Sequence, residues 1–258
     1  MKQNFYSSIK INNPKITFGF FTRKNGFSRK NFSSLNCSYN SGDIKKDVYQ
    51  NILEAQKKLF FNDMQIKMIE QIHSNKVIFI DQKNFINKFQ GDGIITQDKK
   101  INIAVLTADC CPIFLFDKEA SFIACLHAGW KGTYSNIIKN AIIKIKKIQP
   151  NLKKIDAIIG PCLNKKNFEV SNSLQDKFTQ LDPIYKKFFT KKKNKIFFDM
   201  RGLLELQLMQ NYITSIENID FDTYANKELF FSHRRSSQNA NLPTGRMINI
   251  IGFNKIKA

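Results

Sequence analysis

Residues 110–127 read Cys-Cys-Pro-Ile-Phe-Leu-Phe-Asp-Lys-Glu-Ala-Ser-Phe-Ile-Ala-Cys-Leu-His. The runs 110–116 and 121–127 are apolar on both faces, as strands buried between layers are, and Asp117-Lys118-Glu119-Ala120 supplies a polar reversal between them. The stretch predicts a β-hairpin. With the turn centred between Lys118 and Glu119, Asp117 faces Ala120, Phe116 faces Ser121 and Cys110 faces His127. Directly opposed side chains share a face, with Cβ atoms roughly 4.5–5.5 Å apart, so a thiolate and an imidazole can reach one metal ion. A slip of one residue would put them on opposite faces. Cys111 points away from Cys110, and only one of the two can join such a site.

Outward from the hairpin, further strands are expected at 16–22, 76–81, 101–107, 155–159 and 196–198, mostly rich in Ile, Val and Phe. Helical spacing marks 48–61, 133–148 and 203–213; in the second, Ile137, Ile138, Ala141, Ile142 and Ile145 form an apolar stripe. The pattern implies an α/β (α+β type) fold with mixed sheets covered by helices. There is no repeat and no Gly/Ser linker, so residues 1–258 are read as one domain, with the segment after Lys186 folding over the main sheets.

Composition fits a globular chain: 258 residues, 42% hydrophobic, 12% aromatic and 24% charged. The longest apolar stretch, 101–116, is broken by Asn102, Thr107 and Asp109, so neither a membrane span nor a secretory leader is read. Five cysteines without even spacing argue for a reducing compartment, and the cytoplasm is the expected location. The formal charge of +20 raises a nucleic-acid partner. Only six of the 41 basic residues are Arg, however, amid abundant Asn, Ile and Phe, which is the signature of AT-rich codon usage. Lys191, Lys192, Lys193 and Lys195 read as a solvated loop before a strand, and no specific nucleic-acid, membrane or obligate protein partner is expected.

The chain has three histidines, His73, His127 and His233. His127 is followed by Ala128 and Gly129, small residues that leave room at a strand end. His73, Cys110 and His127 offer nitrogen and sulfur donors that suit Zn²⁺, and three protein ligands leave a fourth position open. Their spacing matches no finger or ribbon, so satisfied hydrogen-bonding histidines and a buried cysteine remain the alternative. Cys37 and Cys125 read as small buried residues. His233 reads first as a satisfied hydrogen-bonding group, while Arg234 and Arg235 beside it could bind phosphate or carboxylate. Asp109 is either a capping carboxylate or a group beside the metal that orients a ligand or moves a proton. Cys162, in Gly160-Pro161-Cys162, is a nucleophile only if a base lies near it.

Together these segments carry a resemblance. Gln71-Ile72-His73-Ser74, Asp92-Gly93-Ile94-Ile95-Thr96, Thr107-Ala108-Asp109-Cys110-Cys111-Pro112, Leu126-His127-Ala128-Gly129-Trp130-Lys131-Gly132-Thr133, Gly160-Pro161-Cys162, Phe168-Glu169-Val170, Ser232-His233-Arg234-Arg235 and Thr244-Gly245-Arg246 occur in the order seen in the YfiH-like laccase-domain family. Thr22-Arg23, Gly26-Phe27-Ser28 and Ser34-Leu35-Asn36 match its N-terminal pattern. The family was first described as multicopper polyphenol oxidases and later as purine nucleoside phosphorylases.

The resemblance implies a layered α/β(2)/α fold like that of the cytotoxic necrotizing factor catalytic domain. It also implies zinc at His73, Cys110 and His127, with copper as the alternative. It further implies phosphorolysis of adenosine, inosine and methylthioadenosine, and deamination of adenosine. Tyr or Phe is usual where His233 stands, Cys-Thr where Asp222-Thr223 stands, and Arg where Lys131 stands. A Lys there keeps the charge but loses the planar fork.

For deamination, zinc activates water for attack at the purine C6 carbon, with Asp109 and Glu169 as proton carriers. For phosphorolysis, Arg23, Lys131, Arg234 and Arg246 are candidates for holding phosphate, and Asn36 is a further substrate-binding candidate. Three other readings compete. A multicopper phenol oxidase needs more copper centres than three histidines supply. A thiol hydrolase would use Cys110 with His127, and a basic binding protein would have no chemistry at all.

Overall fold

The computed structural model describes residues 4–8, 10–59 and 65–254. Among these, the strands form three sheets. The first has the order β1 (Phe5–Tyr6), β2 (Ile16–Phe21), β14 (Met247–Phe253), β6 (Ile101–Thr107), β3 (Gln65–Lys67). The second runs β13 (Ser215–Asn218), β9 (Asp156–Ile159), β7 (Cys111–Phe116), β8 (Ile123–Ala128), β5 (Gly93–Thr96), β4 (Val77–Phe79). The third is β10 (Glu169–Val170), β12 (Lys195–Phe198), β11 (Phe189–Lys192). Both large sheets are mixed: β3–β6, β13–β9 and β4–β5 are parallel pairs within otherwise antiparallel ladders.

Side-chain alternation explains how the layers stack. In β6, Ile101, Ile103 and Val105 face the second sheet, while Ala104 faces the other way; β14 divides Ile251 and Phe253 from Ile248 and Ile250 in the same manner. The second sheet meets them with Phe114, Phe116, Ile123 and Cys125, and the Phe20 and Phe114 rings stack across the join at 4.4 Å. Its far face sends Ile113, Leu115, Ala124 and Leu126 against helices. Helix α1 (Lys45–Lys58) covers the first sheet through Val48, Ile52 and Ala55. Helices α3 (Ile137–Ile148) and α5 (Met200–Gln210) cover the second. The order helix, sheet, sheet, helix is the expected layering, and strands buried on both sides explain why their sequences are apolar throughout.

The hairpin forms, but its register is displaced by two residues. Pro112, not Cys110, lies opposite His127, and Phe116 pairs with Ile123. The reversal is longer than expected because Ala120 takes a left-handed conformation (φ 51°) and the Asp117 carboxylate accepts the Ser121 amide. A displacement of two conserves the face, so Cys110, immediately before β7, remains on the inter-sheet side with His127.

The helix expected over 133–148 is split. α2 (Trp130–Tyr134) ends before Asn136, which sits at φ 54° and caps α3 by accepting the Lys139 amide. All five stripe residues of α3 are buried, each isoleucine contributing on the order of 1.5–3 kcal/mol. The end of the helix expected over 48–61 lies outside the described residues. Lys191 and Lys192 belong to β11 and Lys193 to the turn into β12; they are exposed as expected, but on a hairpin and not in a loop. Of the segment after Lys186, β11 and β12 build the third sheet with β10, whereas β14 returns to the middle of the first sheet. Helix α4 (Asn172–Leu181) buries Phe178 beside that third sheet, against Phe189 and Phe198.

Gly160 closes the junction between the two large sheets. A Cβ there would lie 2.3 Å from the Phe20 ring and 2.8 Å from Pro112. Gly160→Ala is therefore expected to destabilise the fold by about 1–3 kcal/mol through overpacking, read as a lowered urea midpoint with unchanged slope.

Candidate metal centre

At the open end of the inter-sheet layer, three chain segments converge. His127 comes from β8, Cys110 from the residue before β7, and His73 from the segment between β3 and β4, where it adopts φ 57°. One ligand atom from each lies within 4.8 Å of the other two. The His73 and His127 rings are nearly perpendicular with centroids 4.9 Å apart, and Cys110 Sγ is 4.0 Å from His73 Nε2. His127 is buried, Cys110 half-buried and His73 exposed on the cavity wall.

Asp92, directly before β5, sets this geometry. Its fully buried carboxylate is 2.8 Å from His127 Nδ1 and accepts the His73 amide at 3.0 Å and the Ser74 hydroxyl at 2.7 Å. Its carbonyl accepts the His127 amide at 2.7 Å. With Nδ1 engaged, His127 presents Nε2 to Cys110, the arrangement in which a carboxylate fixes the tautomer of a ligating imidazole. Gly129 gives the trio room, since a Cβ there would lie 3.0 Å from Cys110 Sγ and 3.1 Å from the His73 ring.

Electrostatics bind the trio further. Burial resists ionisation of Cys110, yet His127 and His73 outweigh it and bring the thiol down to about 6. Burial likewise resists a charged His127, but Cys110 and Asp92 push it up to about 9. For Asp92, burial is outweighed by His127 and the Ser74 donors, which hold the carboxylate below its usual range. Both shifts favour the thiolate–imidazolium form of the Cys110–His127 pair, with the Asp92 carboxylate behind it. Two imidazoles and a thiolate are donors that fit a divalent transition metal, with room for a fourth ligand.

The trio lines a cavity of about 660 Å³, within the size range of small-molecule sites. Trp130 and Phe168 supply aromatic walls, and Lys131, Arg234 and Arg246 supply cations. Arg246 is anchored through the Thr244 and Gly245 carbonyls, and Arg234 through those of Asn167 and Glu169. Asp109 reaches the cavity but is occupied by three donors: the Thr223 hydroxyl at 2.7 Å, the Ser232 hydroxyl at 3.0 Å and the Arg234 amide at 2.6 Å. As the residue preceding Cys110, it ties the start of α6 (His233–Gln238) to the chain entering β7.

Other expected site residues lie elsewhere. The Glu169 carboxylate pairs with Lys195 at 2.8 Å and does not line the cavity. Asn36 is fully buried, its amide donating to Ser41 and Asp43 and its oxygen accepting the Ser38 and Arg246 amides; it fixes the Arg246 backbone from beneath. Arg23 opens into a different cavity. His233, expected to be a satisfied hydrogen-bonding group, is exposed on the metal cavity, and its ring makes no hydrogen bond among the described residues. Cys162 is buried against Cys111 and Arg201, and no histidine is among the partners of its thiol in the described residues. Glu70, which residue patterns did not single out, lines the metal cavity with its carboxylate accepting from Gln90.

Two outcomes follow for metal uptake. Asp92→Asn frees the His127 ring and is expected to weaken Zn²⁺ binding about 10- to 100-fold, measured by competition with a chromophoric chelator. Because the His127 proton must leave, Zn²⁺ affinity should fall about tenfold per unit as pH drops below about 9, and more steeply below about 6, where Cys110 also holds a proton. A pH-independent affinity between 6 and 9 would contradict this ligand set.

The sequence and the fold have known counterparts. A purine nucleoside phosphorylase of Rickettsia prowazekii is 34% identical over 179 residues, 69% of this chain and 73% of its own. The purine nucleoside phosphorylase YlmD of Bacillus subtilis is 30% identical over 263 residues, covering 96% and 92%. The crystal structure of the Neisseria meningitidis protein NMB0706 superposes with a TM-score of 0.86 at 25% identity, covering 98% of this chain and all of that one. With residues 17–254 matching the family described as multi-copper polyphenol oxidoreductase laccase, the chain belongs to this YfiH-like laccase-domain family.

Proposed function

We propose that this protein is a zinc-dependent purine nucleoside phosphorylase acting on adenosine, inosine and methylthioadenosine, with adenosine deaminase activity, and that residues 1–258 act as one domain. The observation that carries the reading is the His73, Cys110 and His127 trio in a cavity with both aromatic walls and cations. The relatives named purine nucleoside phosphorylase support the reaction class. Zinc is the cation best suited to two nitrogens and one sulfur, and when bound it supplies Lewis acidity at one open position.

The chain's own groups divide the remaining work. Trp130 and Phe168 hold a flat purine by their faces. Arg246, Arg234 and Lys131 hold phosphate near the ribose, the guanidiniums pre-set by their carbonyl contacts so that little ordering is needed on binding. Burial lowers the Arg246 pKa, and the nearby Cys110 and Asp109 act against that; an incoming anion is stabilised by so poorly hydrated a cation. Asp109, with its three donors, positions Cys110 and α6. Glu70 and His233, on the cavity wall, are placed to carry the proton that the departing purine base takes up.

A second reading, a thiol hydrolase, draws on the lowered Cys110 thiol beside His127. A multicopper oxidase finds less support, because the chain holds three histidines and, among the described residues, one His/Cys/Asp/Glu group able to hold a metal.

Purified protein given Zn²⁺, adenosine and phosphate is expected to release adenine and ribose 1-phosphate, and inosine without phosphate, as followed by chromatography. His73→Ala, Cys110→Ala and His127→Ala should each reduce turnover on the order of a hundredfold or more, with circular dichroism unchanged. Full activity after chelation and in Cys110→Ala would exclude the proposal; hydrolysis of acyl or amide substrates that survives chelation but not Cys110→Ala would favour the thiol hydrolase.

A further inference from the structure

On the other side of α6 from the metal cavity lies a second cavity of about 620 Å³, lined by Arg23, Arg235, Lys24, Lys227 and Glu228. Four cationic side chains face one carboxylate. Glu228 is largely exposed, and its ion pair is with Lys24 at 3.5 Å, so the two arginines lack a buried counter-charge of their own in this cavity.

Both guanidiniums are held in place by carbonyls; Asp109 and Asp222, neither of which lines this cavity, and the rim Glu228 favour the charge on Arg235, and Glu228 favours that on Arg23. Arg23 lies over the Phe231 ring at 4.3 Å, with Nε donating to the Ser33 carbonyl and Nη1 to that of Lys227. Its backbone is equally fixed: its amide donates to the Leu229 carbonyl, and its own carbonyl accepts the Ser34 and Leu35 amides. Arg235 donates through Nη1 to the Thr223 and Tyr224 carbonyls and through Nη2 to that of Phe230. Arg23 Nη2 and Arg235 Nε have no protein acceptor among the described residues. Burial and the proximity of Arg235 both work against the charge on Arg23. Two pre-set forks with donors to spare, in mutual repulsion, match an oxyanion that can bridge them.

We propose that this second cavity binds a phosphate monoester of a small molecule, its phosphate group bridging Arg23 and Arg235. A volume of about 620 Å³ exceeds what inorganic phosphate fills and admits a sugar-sized substituent. Lys24, paired with Glu228, and Lys227 also line the cavity and add attraction for an anion. The proposal is independent of the reaction assigned to the metal cavity. It moves Arg23, one of the cations expected from the sequence to hold substrate phosphate, to a site away from the metal ligands.

The test is calorimetric titration at low ionic strength of the full chain with ribose 5-phosphate and, separately, with inorganic phosphate. Ribose 5-phosphate is expected to bind saturably and more tightly than phosphate. Arg23→Gln should weaken its binding about 10- to 100-fold, both in the wild type and in an Arg246→Gln background in which the phosphate contact of the metal cavity is removed. If Arg235→Gln does not fold, Lys24→Gln with Lys227→Gln at the rim supplies the second variant, with a loss of several-fold and a shallower salt dependence. Equal affinity in wild type and Arg23→Gln, loss of binding in Arg246→Gln alone, or no saturable binding of ribose 5-phosphate would each overturn the proposal. Tighter binding of inorganic phosphate than of the monoester would overturn the assigned ligand class.

Discussion

The Asp92 carboxylate is the constraint on which the centre depends. It is buried, charged and surrounded by donors from two places in the chain: the His73 amide with the Ser74 hydroxyl, and the His127 ring. Removing a carboxylate from water costs several kcal/mol unless such donors replace the lost hydration, so each of those groups is held as firmly as the charge requires. The outcome is geometric. The β5–β8 ladder, with Gly93 opposite Leu126, places Asp92 beside His127, and the carboxylate then draws in the segment carrying His73. The His73 backbone, in the left-handed region, is retained against a strain on the order of 1–3 kcal/mol.

How much of this could be read from residues depends on whether a local pattern or a long-range encounter carried the information. β6 has the bounds its apolar run predicts, and the stripe of α3 is buried to the last residue. The hairpin was legible in its faces and not in its register. Alternation fixes only whether a position is odd or even, while the loop conformation, here with Ala120 in the left-handed region, decides the pairing. That is why Cys110 and His127 share a side although they are not directly opposed. The break at Asn136 was invisible because the apolar periodicity before and after it is similar, and the departure lies in one residue's φ.

The site residues divide along the same line. Cysteine and histidine announce their chemistry by type, so the trio could be assembled from scarcity and facing strands. Asp92 could not, because a carboxylate before a short apolar run reads equally as a turn residue until β5 is known to lie next to β8. Asn36 and Glu169 show the converse. Both stand in segments that carry the family pattern, and both turn out to act on the cavity from behind, one through the Arg246 amide and the other through a carbonyl that receives Arg234. Position within a motif locates a residue near a site; only the direction of its side chain says which part of it does the work.

α6 extends this argument to the two cavities. Its first turn is clamped by Asp109, which accepts from Ser232 and the Arg234 amide and stands next to Cys110 in the chain. Arg234 faces the metal cavity and Arg235, one residue on, faces the other, as expected of neighbours about 100° apart around a helix. The clamp and the short helix therefore form one continuous set of contacts between the two groups of cations. Because Asp109 sits at φ 91°, a region L-residues rarely adopt, its backbone conformation depends on those three donors remaining in place. Cys110, a candidate metal ligand, thus follows a residue whose carboxylate is held by contacts from Thr223, Ser232 and the start of α6.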